Sequence, residues 1–141
     1  MPGDEHVIVV VRGWVDKAEN DLKNAVNTLK MGEDCPTDTV CFHAQQTVEK
    51  YLKALLVLQG IDFPKTHDIE DLIALLPEGF RPALSEADQG LLTDYATTTR
   101  YPGDYEPVSL SEARRAVAMA RRVRREIRRL LPKGALRRRK S

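Results

Sequence analysis

Aromatic residues are scarce in this sequence, at 6% of 141 residues, so Leu, Val, Ala and Ile must fill any interior. Long apolar runs are missing as well. The run Val7–Val11 is five residues long, far below the roughly 18 that a membrane span needs. It also lacks the basic flank and small-residue cleavage site of a secretory signal, so a cytoplasmic location without membrane attachment is expected. Only two cysteines occur, Cys35 and Cys41, too few and too close for a disulfide framework or a four-ligand zinc site. They read as small apolar fillers in a reducing compartment. There is no His-Glu-x-x-His run, no Glu-x-x-His pair of the di-iron bundles, no Gly-rich phosphate loop and no serine-nucleophile motif. No metal or cofactor is implied.

What is present suits one globular domain: 42% of the residues are apolar and the length permits a real core. The net charge of +1 conceals a segregation. Residues 1–99 carry eight Lys/Arg against 17 Asp/Glu, whereas residues 100–141 carry 14 against four. A basic final third on an acidic body attracts either a polyanion or the body itself.

The apolar spacing is helical almost throughout. Trp14, Ala18, Leu22, Ala25, Val26 and Leu29 form the stripe of a first helix that Gly32 stops. Residues 7–11 are open to three readings: a short strand, an extension of that helix, or a disordered tail. A second helix starts near Pro36–Asp38 and ends at Gly60. Val48, Tyr51, Leu52 and Leu55 lie on one side of it. His43, Gln46, Glu49, Lys50 and Lys53 fall within about 60° on the opposite side. Asp68 is placed to cap a short helix over residues 69–76, closed by Pro77. Ser85 opens another, carrying Leu91, Leu92 and Tyr95 toward Arg100. Tyr101-Pro-Gly-Asp-Tyr105 is a turn. Ser109 and Glu112 then form a capping box for a last helix that Pro132 stops. The expected fold is all-α: an up-and-down antiparallel bundle of three long helices and two shorter ones. Residues 1–11 are expected as an N-terminal extension, 12–132 as the bundle and 133–141 as a basic, mobile tail.

Three segments carry a resemblance. Phe42-His-Ala-Gln-Gln-Thr-Val-Glu-Lys-Tyr-Leu-Lys-Ala-Leu-Leu56, then Lys65-Thr-His-Asp68, then Arg100-Tyr-Pro102 are similar in order and spacing to the HEPN domain. Trp14, Ala18, Asp21 and Leu22 resemble its first helix, and the likeness spans roughly residues 12–131. The resemblance implies a homodimerising helical bundle that associates with nucleotide or RNA, and a cognate minimal nucleotidyltransferase as partner, as in toxin–antitoxin pairs. Nuclease members share an Arg-x(4–6)-His motif. This chain departs from it, because no arginine precedes His6, His43 or His67 at that spacing and no histidine follows Arg100.

The candidate site follows. Gln46, Lys50 and Lys53 stand at i, i+4 and i+7, able to converge on one phosphate-bearing ligand or to form a solvated face with Glu49–Lys53 as an ion pair. His67 precedes a helix start, where backbone N–H groups and an imidazole meet an anion, or where it serves as a hydrogen-bonded loop residue. Arg100 either answers the helix dipole or grips phosphate, with Tyr101 stacking a base. In this assignment Lys50, Lys53 and Arg100 hold phosphate, Gln46 and Tyr101 contact base or sugar, and His67 is a ligand contact. If there is catalysis, as in a divergent metal-independent ribonuclease toxin, His67 and Arg100 are its candidates. Some partner enzymes of the family modify a HEPN tyrosine, which would make Tyr101 and Tyr105 acceptors. Eight arginines between Arg114 and Arg129 cover the last helix, either to bind RNA phosphates or to dock on the acidic body or an acidic partner, which would make the chain an interaction module.

Overall fold

In the computed structural model, the described residues are 4–97 and 108–136. They form six α-helices and no strand. Helix α1 spans Glu5–Leu29, α2 Thr37–Leu58, α3 Ile69–Leu75, α4 Glu86–Thr97, α5 Leu110–Arg128 and α6 Lys133–Leu136. Short 3-10 turns occupy Gly32–Asp34 and Glu78–Phe80. The architecture is the expected all-α bundle.

Of the three readings open for residues 7–11, the helical extension is realised. Asp4 caps α1 by accepting from the His6 amide at 2.7 Å, and Val11 is fully buried. What holds this first stretch is the other end of the chain. Arg12 donates from Nε and Nη2 to the Gly134 carbonyl at 3.0 and 2.7 Å, and Ala135 is buried. The first four residues after Pro132 are therefore packed structure, whereas Arg137–Lys140 lie outside the described residues.

The stops are where local chemistry puts them. Gly32 and Gly60 adopt φ of 68° and 70°, a left-handed conformation that strains any residue with a Cβ. Asp68 Oδ1 accepts from the Asp71 amide at 3.1 Å, Ser85 Oγ from Asp88 at 3.1 Å, and Ser109 Oγ from Glu112 at 3.0 Å. The box at α5 is only half formed. Glu112 does not reach back to the Ser109 amide but accepts from the Tyr95 hydroxyl at 2.6 Å, which ties α4 to α5.

Helix α2 is the axis of the bundle. Fifteen of its 22 residues are buried, and α1, α5, α4 and α3 all pack on it. Tyr51, Leu52, Leu55 and Leu56 are fully inaccessible, each aliphatic one contributing about 1.5–3 kcal/mol. Cys35 and Cys41 are buried and form no disulfide. No helix of the described residues is long and apolar enough to cross a membrane.

Candidate functional site

Because α2 is enclosed, its polar side is buried too. Gln45, Gln46, Glu49 and Lys53 are each under a tenth exposed, so the solvated-face alternative does not hold for them. Their neighbours come from α1 and from the loop between α2 and α3. The Glu49 carboxylate is the hub. It accepts from Lys53 Nζ at 3.0 Å, His67 Nδ1 at 2.8 Å and Gln45 Nε2 at 3.2 Å. Gln45 Nε2 also donates to the His67 carbonyl at 3.0 Å, and Gln46 Nε2 to Gln45 Oε1 at 2.7 Å. The Lys53 ammonium is further enclosed by rings, 5.5 Å from the Trp14 centroid and 5.7 Å from that of Phe63. A buried charge is tolerated only when paired this completely.

A second hub stands one turn toward the N-terminus. Asp21, from α1, bonds His43 Nδ1 at 2.8 Å through one oxygen and accepts from Lys50 Nζ with the other. The pattern is the same: a shielded carboxylate, a lysine and an imidazole held through Nδ1. Since a carboxylate accepts, Nδ1 is the donor of each ring, and Nε2 points away from the bond. The two rings differ in access. The His67 side chain is 57% exposed and that of His43 25%. His67 is thus a preorganised imidazole presented to solvent, able to accept a proton or, once protonated, to bond a phosphate oxygen.

Of the six residues expected at the site, Gln46, Lys53 and His67 are gathered around Glu49. Lys50 belongs to the neighbouring Asp21 hub, and Arg100 and Tyr101, like Tyr105, lie outside the described residues. Three of the backbone N–H groups expected to greet an anion beside His67 are already engaged. Asp68 N donates to Thr66 Oγ1, Ile69 N to Thr93 Oγ1 and Asp71 N to the Asp68 cap. Sequence reasoning missed Asp21, Gln45 and Phe63 as parts of the site. Asp21 was visible only as one position of the first-helix likeness, since nothing local says which carboxylate will meet Lys50. Among the described residues no cluster of three or more His, Cys, Asp or Glu is placed to hold a metal ion.

The family model described as the HEPN domain matches residues 11–130. The chain belongs to the HEPN family. A crystal structure of an archaeal HEPN homologue is similar to it at 26% identity and a TM-score of 0.66, covering 86% of this chain and 98% of that one. No curated protein sequence matches it.

The arginines of this HEPN chain divide by role. Arg124 grips Glu19 of α1 with two bonds, Nε at 2.7 Å and Nη2 at 2.9 Å. Arg128 Nη1 donates to the Tyr51 hydroxyl at 3.2 Å, and that hydroxyl donates in turn to Glu19. Arg122 Nη1 donates to the Ala83 carbonyl at 3.1 Å. These three dock α5 on the body. Arg114, Arg115, Arg121, Arg125 and Arg129 are exposed and their side chains have no hydrogen-bond or ion-pair partner among the described residues. Burial alone would raise the Glu19 carboxyl, but the hydrogen bonds from Arg124 and Tyr51 and the charges of both arginines hold it below its ordinary value. Burial, then the bond to Glu19, pushes the Tyr51 phenol well above its own.

Proposed function

We propose that this HEPN protein binds a nucleotide or RNA at the α2 polar face and works, as a homodimer, with a cognate nucleotidyltransferase of the kind found in toxin–antitoxin pairs. The observation that carries the site is His67, an exposed imidazole locked through Nδ1 onto the buried Glu49. In this reading His67 is the direct ligand contact and Lys50, paired with Asp21 and less enclosed than Lys53, the nearby cation. Gln46 and Lys53, being enclosed, act as positioning residues that hold Glu49 and through it the ring. Arg100 and Tyr101 keep their assignment to phosphate and base, on the strength of the family likeness.

The test is a thermal-shift panel of ATP, GTP, cAMP and short RNAs at two salt concentrations. One ligand raises the melting temperature by mass action in a salt-resistant manner, and His67→Ala removes the shift. A shift that survives both His67→Ala and Arg100→Ala overturns the site.

A second reading, metal-independent RNA cleavage, is favoured by one observation: two imidazoles, His43 and His67, each bonded through Nδ1 to a carboxylate. It predicts cleavage in the presence of chelator that is lost in His43→Ala and in His67→Ala. Intact RNA rules against it.

A further inference from the structure

Helices α1 and α5 lie against α2 and leave between them an open groove of about 820 Å³. Its floor on α1 is aliphatic, from Leu22 and Val26, and Leu136 of α6 adds to it. All three are partly buried against the core. Inside the groove Arg124 and Arg128 are occupied by Glu19 and Tyr51. The outer positions are different. Lys23 on the α1 rim and Arg121 and Arg125 on the α5 rim are exposed, and none has a side-chain partner among the described residues.

An apolar floor flanked by Arg121 and Arg125 on α5, and by Lys23 with Asp16 on α1, selects its occupant. Single-stranded RNA prefers continuous positive charge and aromatic platforms on which bases stack. This lining holds no aromatic residue for a base to stack on. A helix with an aliphatic ridge and carboxylates set against Arg121, Arg125 and Lys23 matches the floor and these cations at once. The α1 wall runs from Val15 to Asn27, about 18 Å at the α-helical rise, which corresponds to roughly three turns of a docked helix.

We propose that the α1–α5 groove is a docking site for an acidic amphipathic helix of a partner protein. Its aliphatic ridge lies on Leu22, Val26 and Leu136, and its carboxylates meet Lys23 on one rim and Arg121 and Arg125 on the other. This surface is distinct from the α2 polar face and does not depend on nucleotide binding there.

The test is fluorescence anisotropy with the full chain and a labelled synthetic helical peptide of about 14 residues, leucines along one face and glutamates beside them. The peptide binds, and Arg121→Glu with Arg125→Glu weakens it at least about tenfold, as reversing steering charges at an interface does. Lys23→Glu weakens it in the same direction from the opposite rim. Arg114→Glu with Arg115→Glu, an equal charge change outside the groove, has little effect. A peptide with serine in place of leucine binds about tenfold less tightly, because the floor loses its apolar partner. Melting temperatures establish that each variant is folded. Three results overturn the proposal: equal loss with the Arg114/Arg115 reversal, equal affinity for the serine peptide, or displacement of the peptide by an oligouridylate of matched charge.

Discussion

His67 Nδ1 and Glu49 Oε1 are 2.8 Å apart, joining a side chain that is 57% exposed to one that is 4% exposed. The bond crosses from solvent to the inside of the bundle, and its two ends do different work. Glu49 also neutralises the enclosed Lys53. Glu49→Ala should therefore destabilise the fold by about 3–5 kcal/mol, the usual cost of leaving a buried charge unpaired. His67→Ala should cost less than about 1 kcal/mol, since an exposed ring loses little on folding. Urea denaturation of the two variants checks this, and comparable losses would mean that His67 is a structural residue first.

Glu19 joins α1 to two arginines of α5 and to the buried Tyr51 hydroxyl. Its carboxyl is about a third exposed, so Glu19→Gln should cost only about 1–2 kcal/mol. Because the folded value lies below the unfolded one, the contribution is complete above about pH 4.5. It is lost as pH falls through the lower folded value. The acid side of a melting-temperature profile should be flatter in Glu19→Gln than in the native chain, and parallel profiles would contradict the assignment.

Two of the four tyrosines should be silent to ordinary base. Burial and the bond to Glu19 raise Tyr51, and burial and the bond to Glu112 raise Tyr95. Tyrosinate absorbance developing near about pH 10 should be unchanged when both are replaced by phenylalanine. The same raised values mean that the unfolded chain releases these protons first, so stability falls as pH rises past about 10.

Gly60 tests the backbone alone. An added Cβ meets nothing within 4 Å, yet φ is 70°. Gly60→Ala should destabilise by about 1–2 kcal/mol through left-handed strain, measurable as a lower urea midpoint with an unchanged slope. A neutral substitution would show that the turn relaxes.

Helices, caps and stops were legible because each depends on residues a few positions apart. The stripe of α1, the Asp68, Ser85 and Ser109 caps and the left-handed Gly32 and Gly60 all follow from local spacing and local hydrogen bonding. The likeness of residues 42–56 to its family was equally readable, since α2 carries a long contiguous pattern. What the α2 polar face does was not readable. Its spacing distinguishes an apolar side from a polar one, but cannot tell that both will be covered. That depends on Asp21, Trp14, Phe63 and His67, brought to α2 from α1 and from the following loop. The eight arginines of the last helix present the same limit. Composition alone set their number, whereas tertiary packing decided that Arg124 and Arg128 would be spent on Glu19 and Tyr51 while Arg121 and Arg125 face an open groove. The reason is that hydrogen-bonded turns and apolar periodicity are fixed within one helix, while the pairing of charges is fixed only when two helices meet.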